Sequence, residues 1–324
     1  MRSNIAGPAS AIVTFTPNPA LDVTTATERV APTDKLRCTE PRYDPGGGGI
    51  NVARAIHFLG GEALAMFAAG GPTGKTLSDL LTEEGVSTRV IPIAGRTRES
   101  LAVDETATGR QYRFVMPGPV LSDAELSNCL DTLRILAPKP GYLVASGSLP
   151  AGAPTDFYGR VAEVAKELGA RMVLDTSGDA LRGGIERGGV YLLKSSRREL
   201  EALAGKSLPG DADQVDAAAS LVRKRRAEIV VVSLGANGAL LVTDDRVQNF
   251  PAIPVPVQST IGAGDAMVAG IVLALARGWS LDESMQFGTA TASAALLRLG
   301  NELCRREDVE RLYAQSCKDA LVPT

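Results

Sequence analysis

Short runs of β-branched and other apolar residues alternate along the chain with longer segments in which apolar residues recur at helical spacing. The short runs predict buried strands at residues 12–16, 142–145, 172–174, 190–193 and 229–233. The longer segments predict helices at residues 50–59, 156–168, 198–204, 213–226, 265–277 and 281–297. Strands that alternate with helices form a parallel sheet covered by helices on both faces, and ligands bind beyond the carboxyl ends of its strands. We therefore expect an α/β protein with three layers: helices, sheet and helices.

Two segments, residues 20–45 and 95–118, depart from this alternation. Both are rich in Thr, Val, Arg and Tyr in rough alternation, which predicts a small antiparallel sheet that forms a flap on the main domain. The core then comprises residues 11–19, 46–94 and 119–324, and residues 1–10 are expected to be a disordered tail. A small sheet with one apolar face needs a cover, so we expect a second copy of the chain to supply it in a homodimer. The alternative is that these segments add edge strands to the core sheet.

The composition is typical of a globular protein, since 44% of the 324 residues are hydrophobic and 22% are charged. The formal net charge of −3 gives no electrostatic basis for binding nucleic acid or an anionic membrane. No apolar stretch reaches the roughly 18 residues that a membrane-spanning helix needs. The four cysteines lack C-x-x-C spacing and His57 is the only histidine, which argues against a zinc site, a disulfide framework and a Ser-His-Asp triad. We therefore expect a cytoplasmic protein that binds small molecules.

A glycine-rich segment, residues 259–265, precedes an apolar stretch at residues 266–276 and so lies where a helix begins. The unpaired N–H groups of a first helical turn and the positive end of the helix dipole bind anions. Gly262 and Gly264 allow the main chain to approach a phosphate, because they have no β-carbon. Asp265 is then placed to accept a proton from a hydroxyl that attacks the phosphate. The segment is typical of a phosphoryl-transfer site, although glycines at such a junction also serve tight packing alone.

A second cluster of glycines, residues 46–49, also precedes a predicted helix. Four consecutive glycines are unfavourable in regular secondary structure, which favours a close approach of the main chain to a ligand. Asn51 lies one turn into the helix and can direct its amide at sugar hydroxyls, whereas the alternative is a flexible hinge. The cluster does not match the G-x-G-x-x-G pattern of dinucleotide binding, and the segment before Lys75 lacks the first glycine of a P-loop. We therefore expect a sugar site at the cluster and Lys75 on the surface.

The order of these motifs resembles that of the ribokinase-like PfkB carbohydrate kinases over nearly the whole chain. The matching motifs lie at residues 18–22, 35–38, 45–56, 111–118, 146–150, 231–235 and 259–265. Within the family the chain is similar to the minor-type branch that phosphorylates fructose 6-phosphate. Gly48 stands where kinases of tagatose phosphate and fructose 1-phosphate usually carry a lysine. The resemblance implies a ribokinase-like α/β/α fold with a mostly parallel sheet and a β-sheet lid used in dimerisation.

The resemblance further implies glycolytic transfer of the γ-phosphoryl group of MgATP to the 1-hydroxyl of fructose 6-phosphate, with Asp265 as the general base. The N–H groups that form the anion hole belong to Gly262, Ala263 and Gly264. Lys35 bridges the phosphates of nucleotide and sugar, and Arg37 reaches into the site of the partner subunit. The sugar phosphate is bound by Asp22, Gly47, Gly48, Asn51, Arg98, Ser100, Arg113 and Ser148. Taken without the resemblance, each charged residue of the flap is an ordinary solvated side chain.

On the nucleotide side, the resemblance places ATP against Lys194, Ser196, Glu199, Ser233, Gly235, Gly238 and Ser293. Glu199 corresponds to the family's glutamate that organises Mg²⁺ largely through water, and a magnesium ion that keeps several waters needs few protein ligands. A potassium ion is implied near the carbonyl groups of Ser259, Ile261, Ala295 and Gly300.

The chain departs from the family pattern at two places. Ser195 and Ser196 replace the family's proline and asparagine, and a hydroxyl is shorter than a carboxamide and has fewer donors. We therefore expect weaker binding of magnesium or ATP, with the chemistry retained. Arg298 and Glu302 stand where the potassium loop carries neutral and basic residues. In one interpretation, the Arg298 guanidinium replaces the cation by donating to the same carbonyls.

Two other functions remain open from the sequence. The first is a kinase for tagatose 6-phosphate or fructose 1-phosphate in the same family. The second is a sugar-phosphate-binding regulator that kept the fold while its catalysis weakened. The retention of Asp265 and of the Gly-Ala-Gly segment before it argues against the regulator.

Overall fold

The computed structural model describes residues 11–298 and 302–319, and a nine-stranded sheet lies at its centre. Its strands are, in spatial order, β13 (Val247–Phe250), β12 (Ala239–Val242), β11 (Ala227–Ser233), β10 (Val190–Ser196), β9 (Arg171–Asp175), β8 (Tyr142–Ser146), β1 (Ile12–Thr16), β4 (Leu64–Ala69) and β5 (Thr88–Pro92). All neighbours from β11 to β5 pair in parallel, whereas β12 and β13 are antiparallel at one edge. The mostly parallel sheet predicted from the sequence is confirmed.

Helices cover both faces of this sheet. One face carries α1 (Gly48–Phe58), α2 (Gly71–Glu83), α8 (Ala263–Ala276), α9 (Leu281–Ala295) and α10 (Arg306–Asp319). The other face carries α3 (Asp123–Arg134), α4 (Phe157–Leu168), α5 (Gly178–Glu186), α6 (Arg197–Ala204) and α7 (Asp211–Arg223). The predicted helices are confirmed with ends that differ by a few residues, and the three-layer arrangement follows from them.

The sequence prediction missed α2, α3, α5 and α10. Glycines weaken the helical pattern in α2 and α5, because glycine is a poor helix former. The start of α3, in contrast, carried a signal: Ser122 and Glu125 have the spacing of a capping box. The Ser122 hydroxyl accepts from the main-chain N–H of Glu125, and a Glu125 carboxylate oxygen accepts from the Ser122 N–H at 2.7 Å.

A separate four-stranded sheet is built from the two segments that departed from the alternation. In spatial order it contains β3 (Arg42–Gly46), β2 (Ala20–Thr27), β6 (Arg98–Glu105) and β7 (Arg110–Val115). β2–β3 and β6–β7 are antiparallel, but the central pair β2–β6 is parallel. The antiparallel prediction was therefore wrong for the central pair. Each antiparallel pair joins strands that are neighbours along the chain, whereas β2 and β6 are far apart in sequence, so no hairpin fixes their direction.

The apolar cores lie on the two faces of the large sheet. Successive residues of one strand point to opposite faces, so Ile12 of β1 lies in the core on one face and Val13 in the core on the other. α8 is apolar around almost its whole circumference, because it packs against the sheet, α1 and α9 at once. Even so, none of the helices in the described ranges is both long enough and apolar enough to cross a bilayer.

The carboxyl ends of the parallel strands meet along one edge of the sheet. Ser146 is paired with Asp175 in β8 and β9, and Ser196 is paired with Ser233 in β10 and β11. These strands are buried over most of their length and end in polar residues. The polar ends therefore lie beside the first turns of α1 and α8. The candidate site lies at this edge, as expected for a parallel α/β sheet.

Candidate active site

The first turn of α8 presents unpaired main-chain donors. Gly262 precedes the helix with a φ of 74°, a left-handed conformation that favours glycine. The first main-chain bond of the helix runs from Ala266 N–H to the Gly262 carbonyl at 2.8 Å. The N–H groups of residues 263–265 therefore have no acceptor within the helix, and they form the positive end of the helix dipole. Such a turn is suited to hold an anion.

Asp265 lies in this first turn and contacts the helix that follows the other glycine cluster. The Asn51 amide Nδ2 donates to Asp265 Oδ2 at 2.9 Å, and Asn51 is only 7% exposed. The sequence predicted both residues as site residues but not that they bond to each other. The two helix starts, α1 and α8, are thus joined by a hydrogen bond between the side chains of Asn51 and Asp265.

A buried ion pair lies next to this contact. Lys194 Nζ is 3.3 Å from both carboxylate oxygens of Asp175, and both side chains are about nine-tenths buried. A β-carbon built on Gly264 would lie 2.6 Å from Lys194 Nζ, so the ammonium sits directly against the first turn of α8. Asp175 was missed from the sequence, although a carboxylate at the end of a predicted buried strand was an available signal.

These neighbours change the proton affinity of Asp265. Burial raises the pKa of Asp265 to about 7, and the negative charge of Asp175 adds to the shift. The Asn51 hydrogen bond and the charge of Lys194 act in the opposite direction. Burial likewise raises the pKa of Asp175, although Lys194 opposes it. Burial by itself would lower the pKa of Lys194, but the surrounding carboxylates outweigh burial and raise it. A carboxylate with a pKa near neutrality is suited to general-base chemistry.

The glycine cluster of residues 46–49 packs the start of α1 against the ends of β1 and β8. Gly47 has a φ of 118°, which a residue with a β-carbon rarely adopts. A β-carbon on Gly48 would lie 2.2 Å from Ser146 Oγ, and one on Gly49 would lie 2.5 Å from Thr16 Oγ1. The main chain of the cluster is therefore held in close contact, and a larger residue at position 48 would require its surroundings to move.

Arg54, which the sequence analysis did not single out, anchors the strand that leads into this cluster. Its guanidinium is buried, pairs with the Glu84 carboxylate and donates to the Pro45 carbonyl at 3.1 Å. Because Pro45 immediately precedes the glycines, this contact fixes where the cluster begins.

The four-stranded sheet contributes Asp22, Arg98, Ser100 and Arg113. Arg98 is half-buried and donates to Ser100 Oγ and to the Met116 and Asn18 carbonyls, each at 3.4 Å. Burial lowers the pKa of Arg98, and the nearby Asp22 carboxylate opposes that shift. Arg113 is exposed, and it lines one groove together with Asp22 and Ser100.

Ser148 follows β8 and is exposed at the same edge of the sheet, where its hydroxyl accepts from the Asn18 amide at 3.0 Å. Lys35 and Arg37 are not brought into the site in this single chain. Both are exposed in the segment between β2 and β3, and within the described residues neither side chain has a hydrogen bond or an ion pair.

A cavity of about 690 Å³ opens beside the first turn of α8. Among the predicted nucleotide residues it is lined by Lys194, Ser233, Gly235, Gly238 and Ser293. Apolar side chains, including Ile253, Val255, Met267 and Leu296, form the rest of its wall. The apolar part of this lining suits the faces of a flat aromatic ring such as adenine, and Lys194 and Gly264 in the same lining suit phosphates.

Ser196 and Glu199 form a capping box at the start of α6. The Ser196 N–H donates to Glu199 Oε2 at 2.6 Å, and the Glu199 N–H donates to Ser196 Oγ at 3.3 Å. Ser196 therefore caps the helix through its hydroxyl, and one Glu199 oxygen is engaged in the cap. The negative charge of Glu199 still influences the pKa of Lys194 and Asp175.

The expectation for Arg298 is corrected by the structure. Its guanidinium pairs with the Asp308 carboxylate and makes no described hydrogen bond with the carbonyls of Ser259, Ile261 or Ala295. An ion pair with a carboxylate is stronger than bonds to neutral carbonyls, which explains the preference. Gly300, the remaining predicted cation ligand, lies outside the described residues.

Comparison with known proteins places these features in a family. The family model described as pfkB family carbohydrate kinase matches residues 18–308. The ATP-dependent 6-phosphofructokinase isozyme 2 of Mycobacterium tuberculosis is 52% identical over 93% of this chain and 88% of its own length. A 1-phosphofructokinase of Xanthomonas campestris is 35% identical, covering 95% of both chains.

Among solved structures, phosphofructokinase-2 from Escherichia coli in complex with potassium superimposes with a TM-score of 0.91. It is 42% identical and covers 95% of this chain and 99% of its own. The ribokinase-like α/β fold that the resemblance implied is thereby confirmed.

Proposed function

The chain belongs to the pfkB family of carbohydrate kinases, and from that premise we propose that it is an ATP-dependent 6-phosphofructokinase. The observation that carries the proposal is the position of Asp265. It lies in a first helical turn with unpaired N–H groups, beside a nucleotide-sized cavity, and it bonds to Asn51 of the glycine cluster. The proposed nucleotide site and the proposed sugar site therefore meet at the carboxylate of Asp265, which is the proposed general base.

In the proposed mechanism, Asp265 accepts the proton of the sugar's 1-hydroxyl as that oxygen attacks the γ-phosphorus of ATP. The bond from that phosphorus to the β,γ-bridging oxygen breaks, and ADP leaves. The N–H groups of residues 262–264 and the Lys194 ammonium stabilise the negative charge of the transferring phosphoryl group. Asn51 holds the carboxylate of Asp265 by its hydrogen bond and keeps it directed towards the sugar site. Closure of the four-stranded sheet as a lid would exclude water, which would otherwise hydrolyse the nucleotide.

The sugar phosphate is assigned to the glycine cluster and the four-stranded sheet. Asp22, Asn51 and the main chain of Gly47 and Gly48 would bind sugar hydroxyls. Arginine has a planar fork of donors that matches phosphate oxygens, which suits the guanidinium groups contributed by this sheet. The phosphate would accordingly meet Arg98 and Arg113, with Ser100 and Ser148 beside it and Lys35 and Arg37 brought in by lid closure or by a partner subunit.

Magnesium is expected with the nucleotide, where it would neutralise phosphate charge. The residue proposed to organise it is Glu199, which uses one carboxylate oxygen in its capping box and keeps the other oxygen for a magnesium-bound water. Glu199 also lies near the buried pair of Lys194 and Asp175, since its negative charge acts on the pKa of both. A potassium ion near Ser259, Ile261 and Ala295 is also proposed.

A kinase for tagatose 6-phosphate or fructose 1-phosphate is the second candidate. The higher identity to 6-phosphofructokinase isozyme 2 than to 1-phosphofructokinase favours fructose 6-phosphate. The close contact of Gly48 with Ser146 also favours it, because a lysine at position 48 would not fit this packing unchanged. A binding protein without catalysis is disfavoured, since the base, its hydrogen-bond partner and the donors of the helix start are all present.

The proposal is tested by measuring ADP release with MgATP and a panel of acceptors: fructose 6-phosphate, fructose 1-phosphate, tagatose 6-phosphate, ribose and no sugar. We expect the highest kcat/KM with fructose 6-phosphate. A higher kcat/KM with another sugar phosphate would move the assignment within the family. If no acceptor stimulates ADP release, the binding-protein alternative replaces the kinase.

Ser196→Asn is expected to lower the apparent KM for MgATP by about two- to tenfold, with kcat nearly unchanged. The longer carboxamide has an extra donor for phosphate or for metal-bound water, and a gained hydrogen bond is worth roughly that factor. Because asparagine is as good an N-cap as serine, helix α6 should remain intact. Identical KM and magnesium dependence in the variant and the wild type would contradict this account.

We also propose that the protein is a cytoplasmic homodimer in which the four-stranded sheets of two copies cover each other. Exposed apolar side chains on this sheet and the segment after it, including Tyr43, Phe114 and Val115, support the proposal. The exposed strand edges of a four-stranded sheet favour the same arrangement.

A further inference from the structure

Asn18 is a buried amide that no step of the proposed mechanism uses. It lies between Pro17 and Pro19 in the turn from β1 to β2, and it is 7% exposed. The two prolines restrict the backbone on either side, so the position of the Asn18 side chain varies little. Three segments of the site meet at this residue.

The amide of Asn18 contacts the segment that follows β8. Nδ2 donates to Ser148 Oγ at 3.0 Å and to the Leu149 carbonyl at 3.3 Å. A carbonyl can only accept, so the contact with Leu149 fixes which end of the amide carries the N–H groups. The Ser148 hydroxyl therefore acts as acceptor toward Asn18, and its own proton remains for a ligand oxygen.

The main-chain carbonyl of Asn18 contacts the arginine proposed to bind phosphate. Arg98 Nη2 donates to it at 3.4 Å, and Arg98 Nη1 donates to Ser100 and to Met116. The Arg98 Nε is buried and has no hydrogen-bond partner among the described residues. Asn18 thus supports one side of a guanidinium that keeps donor capacity for an anion.

A third segment, at Gly118, lies close to the oxygen of the Asn18 amide. A β-carbon built on Gly118 would lie 2.0 Å from Asn18 Oδ1, so the chain passes directly over the amide at this glycine. Oδ1 is buried and has no hydrogen-bond partner in the described structure. A buried amide with one unsatisfied polar atom is unfavourable for stability, so stability alone does not explain an asparagine at this position.

We propose that Asn18 is a positioning residue for the sugar phosphate, which fixes Ser148 and Arg98 relative to each other. The inference rests on the proposed function, because it assumes that these two residues contact the phosphorylated sugar. Asn18 touches neither nucleotide nor reacting atoms in this scheme. Its contribution is to the affinity for the phosphate-bearing substrate and not to phosphoryl transfer.

The test uses Asn18→Ala and Asn18→Leu, which keeps a similar volume and adds no charge but removes both N–H donors. We expect the Kd and KM for fructose 6-phosphate to rise about tenfold in both variants, because the Ser148 hydroxyl is no longer held in place and a hydrogen bond lost from the sugar phosphate weakens binding by roughly two- to tenfold. KM for ATP should stay within about twofold. The ratio of kcat/KM for fructose 6-phosphate over unphosphorylated fructose should fall by the same factor of about ten, because the effect acts on the phosphate contacts.

Gln214→Ala is the matched control. Gln214 lies in α7, on the other face of the sheet, and it is 4% exposed. Its Nε2 donates to the Leu208 carbonyl at 3.2 Å. This variant loses a buried amide as Asn18→Ala does, so it should lower the unfolding temperature without changing either KM. Equal losses of affinity for ATP and fructose 6-phosphate in the Asn18 variants would indicate a general structural effect and overturn the inference.

Binding of fructose 6-phosphate is also measured by calorimetry in the absence of nucleotide, which separates this inference from the proposed function. Wild-type protein that binds fructose 6-phosphate without phosphorylating it would contradict the proposed function alone. An unchanged Kd in both Asn18 variants would overturn the positioning role alone. Absence of binding by the wild type would overturn both.

Discussion

Asp265→Asn is expected to lower kcat by about 10²–10⁴-fold, the usual contribution of a general base in proton transfer. The substitution keeps the shape of the side chain and can still accept from the Asn51 amide, so the first turn of α8 should be undisturbed. The affinity for nucleotide and sugar phosphate should therefore change little. The measurement is steady-state ADP release with fructose 6-phosphate, together with calorimetric binding of both ligands.

The pH dependence of the wild type provides an independent check on this assignment. Because burial raises the pKa of Asp265 to about 7, the base is partly protonated in neutral solution. The kcat/KM for the sugar should rise with pH through an apparent pKa near 7, and the acid limb should vanish in the residual activity of Asp265→Asn. Full activity of the variant, or a wild-type profile that is flat between pH 6 and pH 8, would remove Asp265 from the mechanism.

Stability should change in the opposite direction to activity. The folded-state pKa of Asp265 is raised from an ordinary value of 3.8, so the stability linked to its protonation is complete below that value and is lost as pH rises towards 7. Asp265→Asn does not titrate. Its free energy of unfolding should therefore increase relative to the wild type by up to about 1.4 kcal/mol per pH unit within this window.

Lys194→Met is expected to lower the free energy of unfolding by about 3–5 kcal/mol, the usual cost of leaving one partner of a buried ion pair without its counter-charge. The affected partner is Asp175, and Asp265 also loses a neighbouring positive charge. Both carboxyl pKa values should rise further, so the loss should be larger at pH 8 than at pH 5.5. Urea unfolding at the two pH values measures it, and ATP binding should weaken in parallel.

A matched lysine serves as the control for this second prediction. Lys75 pairs with Asp79 at 2.6 Å, but both side chains are exposed, so Lys75→Met should cost less than about 1 kcal/mol. The double variant Lys194→Met, Asp175→Leu removes both charges of the buried pair and should recover part of the lost stability. If Lys194→Met is as stable as Lys75→Met, the buried pair does not have the energetic role assigned to it.

Much of the fold could be predicted because its signals are local. Apolar runs such as Ile12–Thr16 and Tyr142–Ser146 show buried strands directly, and the alternation with helices leaves few arrangements other than a parallel sheet. The glycine segment before α8 likewise showed where a helix begins. Local signals failed at α2 and α5, where glycines hide the helical period, and in the pairing of β2 with β6.

The sequence by itself therefore determined the order of the elements, the family and the residues at the two helix starts, because periodicity and motif spacing are properties of neighbouring residues. Only the tertiary structure decided which of those residues meet. Asn51 bonds to Asp265 across more than 200 positions, Lys194 pairs with Asp175, and Arg298 pairs with Asp308. The raised pKa of Asp265 has the same origin, since burial and the proximity of Asp175 exist only once distant strands and helices have packed together.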